Sequence, residues 1–274
     1  AAATGAALCR IPQGANALGL ARAGVLPSAR DVAGMLAQPR AAYLIYGIEP
    51  GLDFADGAAA LKALKAARVV AFSHYACQST RAVADVILPI GALPEVQATL
   101  TNLDGVEQRT MAGAKLPGEA REGWRVLRAL GGALELPGFE FADLAGAREL
   151  AKGRDSGLGT RDSGVASSPA PALDAEGLEV VAEVGIYRSD ATVRRAQALQ
   201  AHPLNIGPSI ALHPVQAQAL GLAAGQVAKL QAAAGTATVP VRVDDRVPEG
   251  VVWVEAGHGA TAPIGAGRVR VVAA

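Results

Sequence analysis

The sequence predicts an α/β protein, with a Rossmann-like parallel-sheet domain followed by a small closed β-barrel. In the first half, continuous apolar runs alternate with segments of helical period, which is typical of buried parallel strands joined by helices. Towards the end of the chain the apolar period becomes two, which indicates short, half-buried strands. A Gly-, Ser- and Pro-rich stretch separates the two patterns. We therefore predict an α/β domain at 1–152, a flexible linker at 153–175 and a barrel at 176–274.

A βαβ unit is the clearest feature of the first domain. The apolar runs at 41–48 and 68–73 predict strands covered on both faces, and the segment between them predicts a helix with Asp56 as its N-cap. The segment 91–115 has no clear period and predicts a long ordered loop, a place where functional residues often lie. A third strand is predicted at 85–90, and further helices at 29–38, 118–136 and 141–152.

The second domain consists mainly of strand-like runs separated by turn residues. One short helix, at 213–222, interrupts them. Five or six short strands with a single small helix are typical of a closed barrel. The predicted strands lie at 178–188, 226–233, 236–243, 250–257 and 267–274.

Charge and composition exclude several classes of partner. The chain has 25 basic and 25 acidic residues and a formal net charge of zero, so no strong field would hold nucleic acid. The small basic cluster of Arg188, Arg194 and Arg195 is explained either by buried ion pairing or by a solvated face. We therefore predict no nucleic-acid partner.

The number and spacing of the cysteines and histidines do not predict a metal site. Only Cys9 and Cys77 are present, whereas an iron–sulfur cluster generally needs four thiolates, and the four histidines show no ligand spacing. No apolar run approaches the roughly 20 residues that a membrane helix needs, so direct membrane insertion is not expected. Because the chain starts without Met or a basic leader segment, we expect it to be part of a longer protein.

Three local motifs could carry chemistry, and each also has an ordinary structural explanation. The glycines at 14–19 could approach a phosphate, but they match no phosphate-binding pattern and suit an ordinary loop. The Ser-, His- and Cys-containing run at 73–80 could imitate a nucleophile site. A strand-to-helix turn with Ser79 or Thr80 as N-cap explains the run better. Glu95 and Asp104 could be an acid–base pair, although turn chemistry accounts for the loop that holds them.

The run TRAVADVILPIGALPEVQATLTNLDGVEQR, at 80–109, resembles a hallmark of the molybdopterin oxidoreductase superfamily. Two positions depart from the family pattern, because Asp104 replaces a Glu and Val106 replaces an Arg. The segments SHYACQSTRAVADVILPIG and IYRSDATVRRAQALQ, at 73–91 and 186–200, more specifically resemble the large iron–sulfur subunit of bacterial NADH-quinone oxidoreductase, respiratory complex I. The stretch at 211–243 resembles the superfamily's C-terminal double-psi β-barrel.

The resemblance implies a scaffold that has lost the pterin cofactor of its relatives, and no catalytic or metal-binding residue in this segment. Without Arg at position 106 a donor fork for phosphate is missing, and Asp190 would repel an anionic ligand. Residues of a vestigial pterin cleft would be Asn16, Gly19, Ser79, Thr80, Asn102, Asp104, Gly105 and Gln108.

For the whole protein of this family, the resemblance implies 2Fe-2S and 4Fe-4S clusters bound by a preceding region. It also implies partners in the peripheral arm of the complex and a peripheral location on the cytoplasmic face of the bacterial inner membrane. Two other hypotheses stay open. One is a fragment of an active molybdopterin-dependent oxidoreductase such as formate dehydrogenase, and the other is a stand-alone nucleotide-binding module.

Overall fold

In the computed structural model, the described residues are 4–6, 14–25, 30–152 and 176–274. The predicted linker at 153–175 and Cys9 lie outside them. The helices are α1 Ala17–Arg22, α2 Val32–Ala37, α3 Gly57–Lys65, α4 Gln78–Arg81, α5 Gly123–Ala133, α6 Leu144–Lys152, α7 Gln197–Gln200 and α8 Pro214–Ala219. The strands are β1 Ala42–Tyr46, β2 Arg68–Ser73, β3 Val86–Pro89, β4 Ala98–Thr101, β5 Glu107–Thr110, β6 Leu178–Val184, β7 Ile210–Leu212, β8 Val227–Ala232, β9 Thr236–Val243, β10 Val251–Ala256 and β11 Arg268–Ala273.

Contacts group the described residues into two compact units. The first unit comprises those within Ala1–Asp31 and Pro89–Ala166, and the second those within Val32–Leu88 and Ser167–Ala274. The second unit therefore contains most of the parallel sheet together with the barrel. The domain boundaries at 152 and 176 stay a prediction.

A three-stranded sheet in the order β1-β2-β3 contains the predicted βαβ unit. Strands β1 and β2 are parallel, and α3 connects them, with Asp56 accepting the Ala59 N–H at 2.8 Å as the predicted N-cap. One face of the sheet buries an aliphatic core around Leu64 and Val69. The expectation that β1 is covered on both faces is wrong, because β1 is an edge strand and its Leu44 is 64% exposed.

The barrel is closed by six strands in the order β10-β6-β11-β8-β9-β7. Its interior is aliphatic, as the alternating burial along β9 shows, and Ile210, Leu230 and Val252 are fully buried. The five predicted runs all contribute strands. The sixth strand, β7, is only three residues long, which is too short to show a period of two.

The predicted loop at 91–115 is wrong in part, because it contains an antiparallel hairpin of β4 and β5. Pairing runs from Ala98 opposite Thr110 to Thr101 opposite Glu107. Each strand has only four residues and carries mainly polar side chains, so the hairpin shows no hydrophobic alternation in sequence. Cross-strand hydrogen bonds and contacts with α1 hold the hairpin in place.

Adjacent glycines near the end of α5 provide a matched test of packing. A Cβ at Gly131 would collide with the ring of Phe139, whereas a Cβ at Gly132 would meet nothing within 4 Å. We expect Gly131→Ala to lower the free energy of unfolding by about 1 kcal/mol. Gly132→Ala should instead raise it by up to about 1 kcal/mol, because Ala is the better helix former. Urea unfolding followed by circular dichroism measures both, and equal effects would contradict this packing.

Candidate functional site

Six of the eight predicted cleft residues lie in the first unit, at α1 and the β4–β5 hairpin. These are Asn16, Gly19, Asn102, Asp104, Gly105 and Gln108. Ser79 and Thr80 belong to the second unit, in α4. The predicted cleft residues are thus divided between the two units.

Asn16 and Gly19 together fasten α1 to the hairpin. Asn16 has a left-handed backbone, with φ of 63°, and its side-chain Oδ1 accepts the Thr101 N–H at 2.8 Å. A Cβ at Gly19 would collide with that same Oδ1. Glycine at position 19 thus leaves the space through which the Asn16 side chain reaches the strand.

The hairpin turn is also held by internal hydrogen bonds. The Asn102 side chain accepts the Val106 N–H at 2.9 Å, and the Gly105 carbonyl accepts a hydrogen bond from Arg22 Nη1 at 2.8 Å. Gly105 has φ of 82°, which favours glycine. Asp104 and Gln108 are exposed. Asn102 and Gly105 therefore shape the turn by bonds within the chain.

A cavity of about 420 Å³ lies beside this hairpin in the first unit. Asn16 and Gly19 line it, together with Arg22, Arg109 and Arg148, which the sequence did not mark as candidates. These arginines come from α1, β5 and α6. No motif links residues so far apart in sequence, so no sequence signal could have identified them.

In the second unit, Cys77 caps the short helix after β2. Its Sγ accepts the Thr80 N–H at 3.4 Å and lies 3.2 Å from Ser79 Oγ and 3.1 Å from Thr80 Oγ1. The strand-to-helix turn is as expected, but the prediction of Ser79 or Thr80 as the N-cap is wrong. Thr80 is fully buried. Both hydroxyls are thus used within the turn.

Asp85 is a structural residue to which the sequence assigned no role. Its carboxylate accepts the Val69 N–H at 2.7 Å and pairs with Arg68 at 3.0 Å, which joins the starts of β2 and β3. The hydrogen bond from the Val69 backbone, followed by that from Arg68, lowers the pKa of Asp85. The Asp of the family-like Ala-Asp-Val run therefore fixes sheet register.

A buried ion cluster joins the loop after β1 to the segment between the barrel strands β6 and β7. Arg194 is 4% exposed, and its Nη2 lies 2.8 Å from Glu49 Oε2 and 2.7 Å from Asp53 Oδ1. Arg195 pairs with the other oxygen of Glu49. Arg194 thus has the buried pairing role, one of the two explanations that the sequence left open, whereas Arg188 donates to the Gly257 carbonyl and to Gln200.

Residues of the ion cluster also contact an aromatic ring and have shifted pKa values. The Arg195 guanidinium lies 4.1 Å from the centre of the Tyr75 ring, a cation–π contact. Burial works to raise the pKa of Glu49, but hydrogen bonds and charge from Arg195 and Arg194 outweigh it, and the net pKa is lowered. The hydrogen bond from Glu49 in turn raises the pKa of Arg195.

This cluster occupies the position where open α/β sheets usually bind ligands. Glu49 follows the carboxyl end of β1 and Tyr75 follows that of β2. Both contact arginines of the chain itself. Among the predicted cleft residues, the Oδ1 atoms of Asn16 and Asn102 accept backbone N–H groups, and the Thr80 hydroxyl contacts Cys77. The cations at this edge of the sheet are thus paired within the chain.

His258 is another buried titratable group of the second unit. It is 8% exposed, and its Nε2 has no hydrogen-bond partner among the described residues. Burial, followed by the charge of Arg188, lowers its pKa to about 4. Arg188 itself donates to the Gly257 carbonyl and to Gln200. His258 is therefore neutral at physiological pH.

The described residues contain neither a metal-ligand cluster nor a membrane-spanning helix. No group of three or more His, Cys, Asp or Glu side chains there could hold a metal ion. Among the helices of that part of the chain, none combines the length and hydropathy required to cross a bilayer.

Two protein-family models match the chain. Residues 5–133 match Molybdopterin oxidoreductase, and residues 186–270 match Molydopterin dinucleotide binding domain. The fold resembles that of Acetylene Hydratase from Pelobacter acetylenicus, with a TM-score of 0.59 and 16% identity, covering 88% of this chain and 46% of that one. These matches support the fold of a molybdopterin oxidoreductase.

Curated relatives include subunits of electron-transfer oxidoreductases. The NADH-ubiquinone oxidoreductase 75 kDa subunit of Reclinomonas americana is 44% identical over 64 residues, which is 23% of this chain and 9% of the relative. The NADPH-Fe(3+) oxidoreductase subunit alpha of Geobacter sulfurreducens is 27% identical over 78% of this chain and 26% of the relative. The chain thus spans about a quarter or less of these relatives.

Removal of one buried charge tests the ion cluster. Arg194→Met should lower the free energy of unfolding by about 3 kcal/mol, because Glu49 and Asp53 lose their buried partner. Arg246→Met is the matched control, since Arg246 forms an exposed ion pair with Asp244, and no measurable change is expected there. Equal midpoints of urea unfolding for both variants would contradict the role of Arg194 as a buried counter-ion.

The buried His258 predicts acid sensitivity. Its folded pKa lies below the ordinary value of 6.5, so its contribution to stability is complete above pH 6.5 and is lost as the pH falls towards 4. Between pH 7 and pH 5 we expect a loss of about 1 to 2 kcal/mol. His258→Gln should flatten this dependence, whereas His202→Gln, at an exposed position, should retain it. Urea unfolding at both pH values measures the difference.

Proposed function

We propose that the chain is the cofactor-free C-terminal part of the large iron–sulfur subunit of a bacterial NADH-quinone oxidoreductase. In this role it is a structural scaffold of the peripheral arm. The observation that carries the proposal is the contact between the segments 73–91 and 186–200, through Tyr75 and Arg195. These are the two segments whose sequences most specifically resemble that subunit.

Electrostatics support a scaffold over a cofactor-binding role. A dinucleotide would bring negative charge to the carboxyl ends of β1 and β2, and Arg194 and Arg195 are the local cations there. Both already pair with Glu49, and Arg194 also pairs with Asp53. If these arginines bound a ligand instead, the carboxylates of Glu49 and Asp53 would lose their counter-ions in a poorly solvated environment.

The hairpin supports the same proposal. Val106, at the position where the family pattern has Arg, is 54% exposed and offers no side-chain donor. Asn102 and Gly105 are bonded within the chain. The candidate cleft residues are thus remnants of a cleft, most of them now with packing roles; they are Asn16, Gly19, Ser79, Thr80, Asn102, Asp104, Gly105 and Gln108.

Electron transfer would be performed by other parts of the assembly. It would pass electrons from NADH through FMN and iron–sulfur clusters to quinone, with proton translocation, at the cytoplasmic face of the membrane. The 2Fe-2S and 4Fe-4S clusters of the protein would be bound by residues beyond this chain. This segment would hold those cluster-bearing parts against neighbouring subunits, with the six-stranded barrel, of double-psi type, as its rigid end.

A second candidate is the same scaffold role in a different electron-transfer complex. The relative aligned over most of this chain is an NADPH-Fe(3+) oxidoreductase subunit alpha. In that case the assembly would oxidise NADPH and would not depend on quinone. The rate of NADH-dependent quinone reduction by the native complex separates the two candidates.

Two variants distinguish an effect on the assembly of the complex from an effect on its turnover. Arg194→Met in the full-length protein should reduce the amount of assembled complex on native gels, while quinone reduction per assembled complex stays unchanged. Arg246→Met should change neither quantity. A normal amount of complex with slower turnover would overturn the scaffold proposal, because it would show that the cluster takes part in electron transfer.

A further inference from the structure

Strand β1 is an open edge of the three-stranded sheet. The sheet has the order β1-β2-β3, so within the described residues β1 has a strand neighbour on one side only. The Ala41 carbonyl accepts the Arg68 N–H at 2.9 Å, and the Gly47 N–H donates to the Phe72 carbonyl at 2.8 Å. In a parallel pair, alternate residues of a strand bond to the same neighbour. The other residues of β1 therefore direct their backbone N–H and C=O groups to the open side; they are Ala42, Leu44 and Tyr46.

This edge carries none of the usual features that prevent strand pairing. Natural edge strands are often protected by charged side chains or by proline. The sequence of β1 is AYLIY, which contains neither. Leu44 is 64% exposed and Tyr46 is 50% exposed. Because a row of N–H and C=O groups is available beside apolar side chains, the edge is suited to adding a strand.

The outer face of the same sheet is also apolar and exposed. Ile45 and Ile87 pack in the core on the inner face. Since successive side chains of a strand point to opposite faces, their chain neighbours project from the outer face; these include Leu44, Tyr46 and Val86. Val86 is 46% exposed, and the ring of Tyr46 stacks on that of Phe72. Parallel sheets normally have both faces covered, so this sheet is incomplete for its class.

We propose that β1 pairs with a further strand from another region of the same polypeptide. This inference rests on the proposed function, which makes the chain part of a larger subunit. The NADPH-Fe(3+) oxidoreductase subunit alpha of Geobacter sulfurreducens aligns with 78% of this chain, and the alignment takes 26% of that relative. Most of a polypeptide of that kind lies outside the aligned region and can supply the strand.

The surroundings of the edge define the strand that fits. On the inner face it lies beside Tyr43 and Ile45, and on the outer face beside Leu44 and Tyr46. Because both sides are apolar, the strand is a continuous apolar run rather than an alternating one. A helix would cover the outer face but would leave the N–H groups of the edge unpaired. An added strand pairs these groups and extends the sheet.

Hydrogen–deuterium exchange of the full-length protein, resolved to single amides by mass spectrometry, tests the pairing. The amides of Tyr43 and Ile45 point towards β2 and are the internal reference for a paired strand. Those of Leu44 and Tyr46 should exchange as slowly as the reference, about a hundredfold or more below the rate of an unstructured peptide. Fast exchange at Leu44 and Tyr46, with Tyr43 and Ile45 protected, overturns the proposal. It also overturns the proposal if protection of Leu44 depends on protein concentration, since that identifies a second copy as the occupant.

A pair of variants gives a second readout. Leu44→Lys should speed exchange of the Tyr46 amide about tenfold or more, because a lysine charge beside the added strand weakens the pairing. Leu204→Lys, at a loop leucine that is 70% exposed, is the matched control and should leave that amide unchanged. Protection of Tyr43 and Ile45 in both variants checks that the sheet stays folded. Equal exchange of Tyr46 in the two variants contradicts the proposal.

The exchange experiment can fail independently of the proposed function. Fast exchange at Leu44 together with normal quinone reduction rejects the added strand and leaves the scaffold role standing. Slow exchange at Leu44 without NADH-dependent quinone reduction supports the strand and rejects the proposed complex.

Discussion

The ion cluster of Glu49, Asp53, Arg194 and Arg195 is the constraint on which the second unit depends. It joins residues about 145 positions apart in sequence, and two of its members are 4% exposed. Burying the charges of Glu49 and Arg194 is costly, and the attraction within the cluster roughly offsets that cost. The cluster therefore contributes little net stability compared with an apolar core. It specifies which loop meets which segment, because any other pairing leaves a buried charge without a partner.

The ion cluster also affects where this chain could bind a ligand. In an open α/β sheet the carboxyl ends of the strands form the usual binding crevice. Here Glu49 and Tyr75 lie at those ends, and both contact Arg195, in the segment between β6 and β7. The charges at this crevice are thus paired with one another within the chain. In the first unit, the contacts of Asn16 and Gly19 likewise fasten α1 to the hairpin.

Elements with a strong period were predictable from the sequence, and elements defined by long-range contacts were not. The βαβ unit, the Asp56 cap and five of the barrel strands have clear local signals. Strand β7 and the β4–β5 hairpin are too short or too polar to show a period, and tertiary pairing stabilises them. Similarly, the exposed Leu44 cannot be distinguished from a buried strand residue, because burial depends on neighbours outside the run.

Among the site residues too, the sequence marks those that share a local pattern and misses those that only the fold brings together. The sequence pointed to Arg188, Arg194 and Arg195 as a cluster, but their acidic partners lie far away in the chain. Likewise, Arg109 and Arg148 have no local pattern that marks them, and only the fold brings them to one cavity. The resemblance placed Asn16 and Gly19 among the residues of a vestigial cleft, and their contacts give both residues a packing role.

Elemental analysis of the purified full-length protein tests the central claim most directly, namely that this fold serves as a scaffold after losing its pterin. Iron, molybdenum and tungsten are measured on one sample by mass spectrometry. The scaffold account predicts iron bound by the cluster-bearing region, with neither molybdenum nor tungsten in stoichiometric amount. One molybdenum or tungsten atom per polypeptide would contradict it, and would favour an active molybdopterin-dependent oxidoreductase such as a formate dehydrogenase.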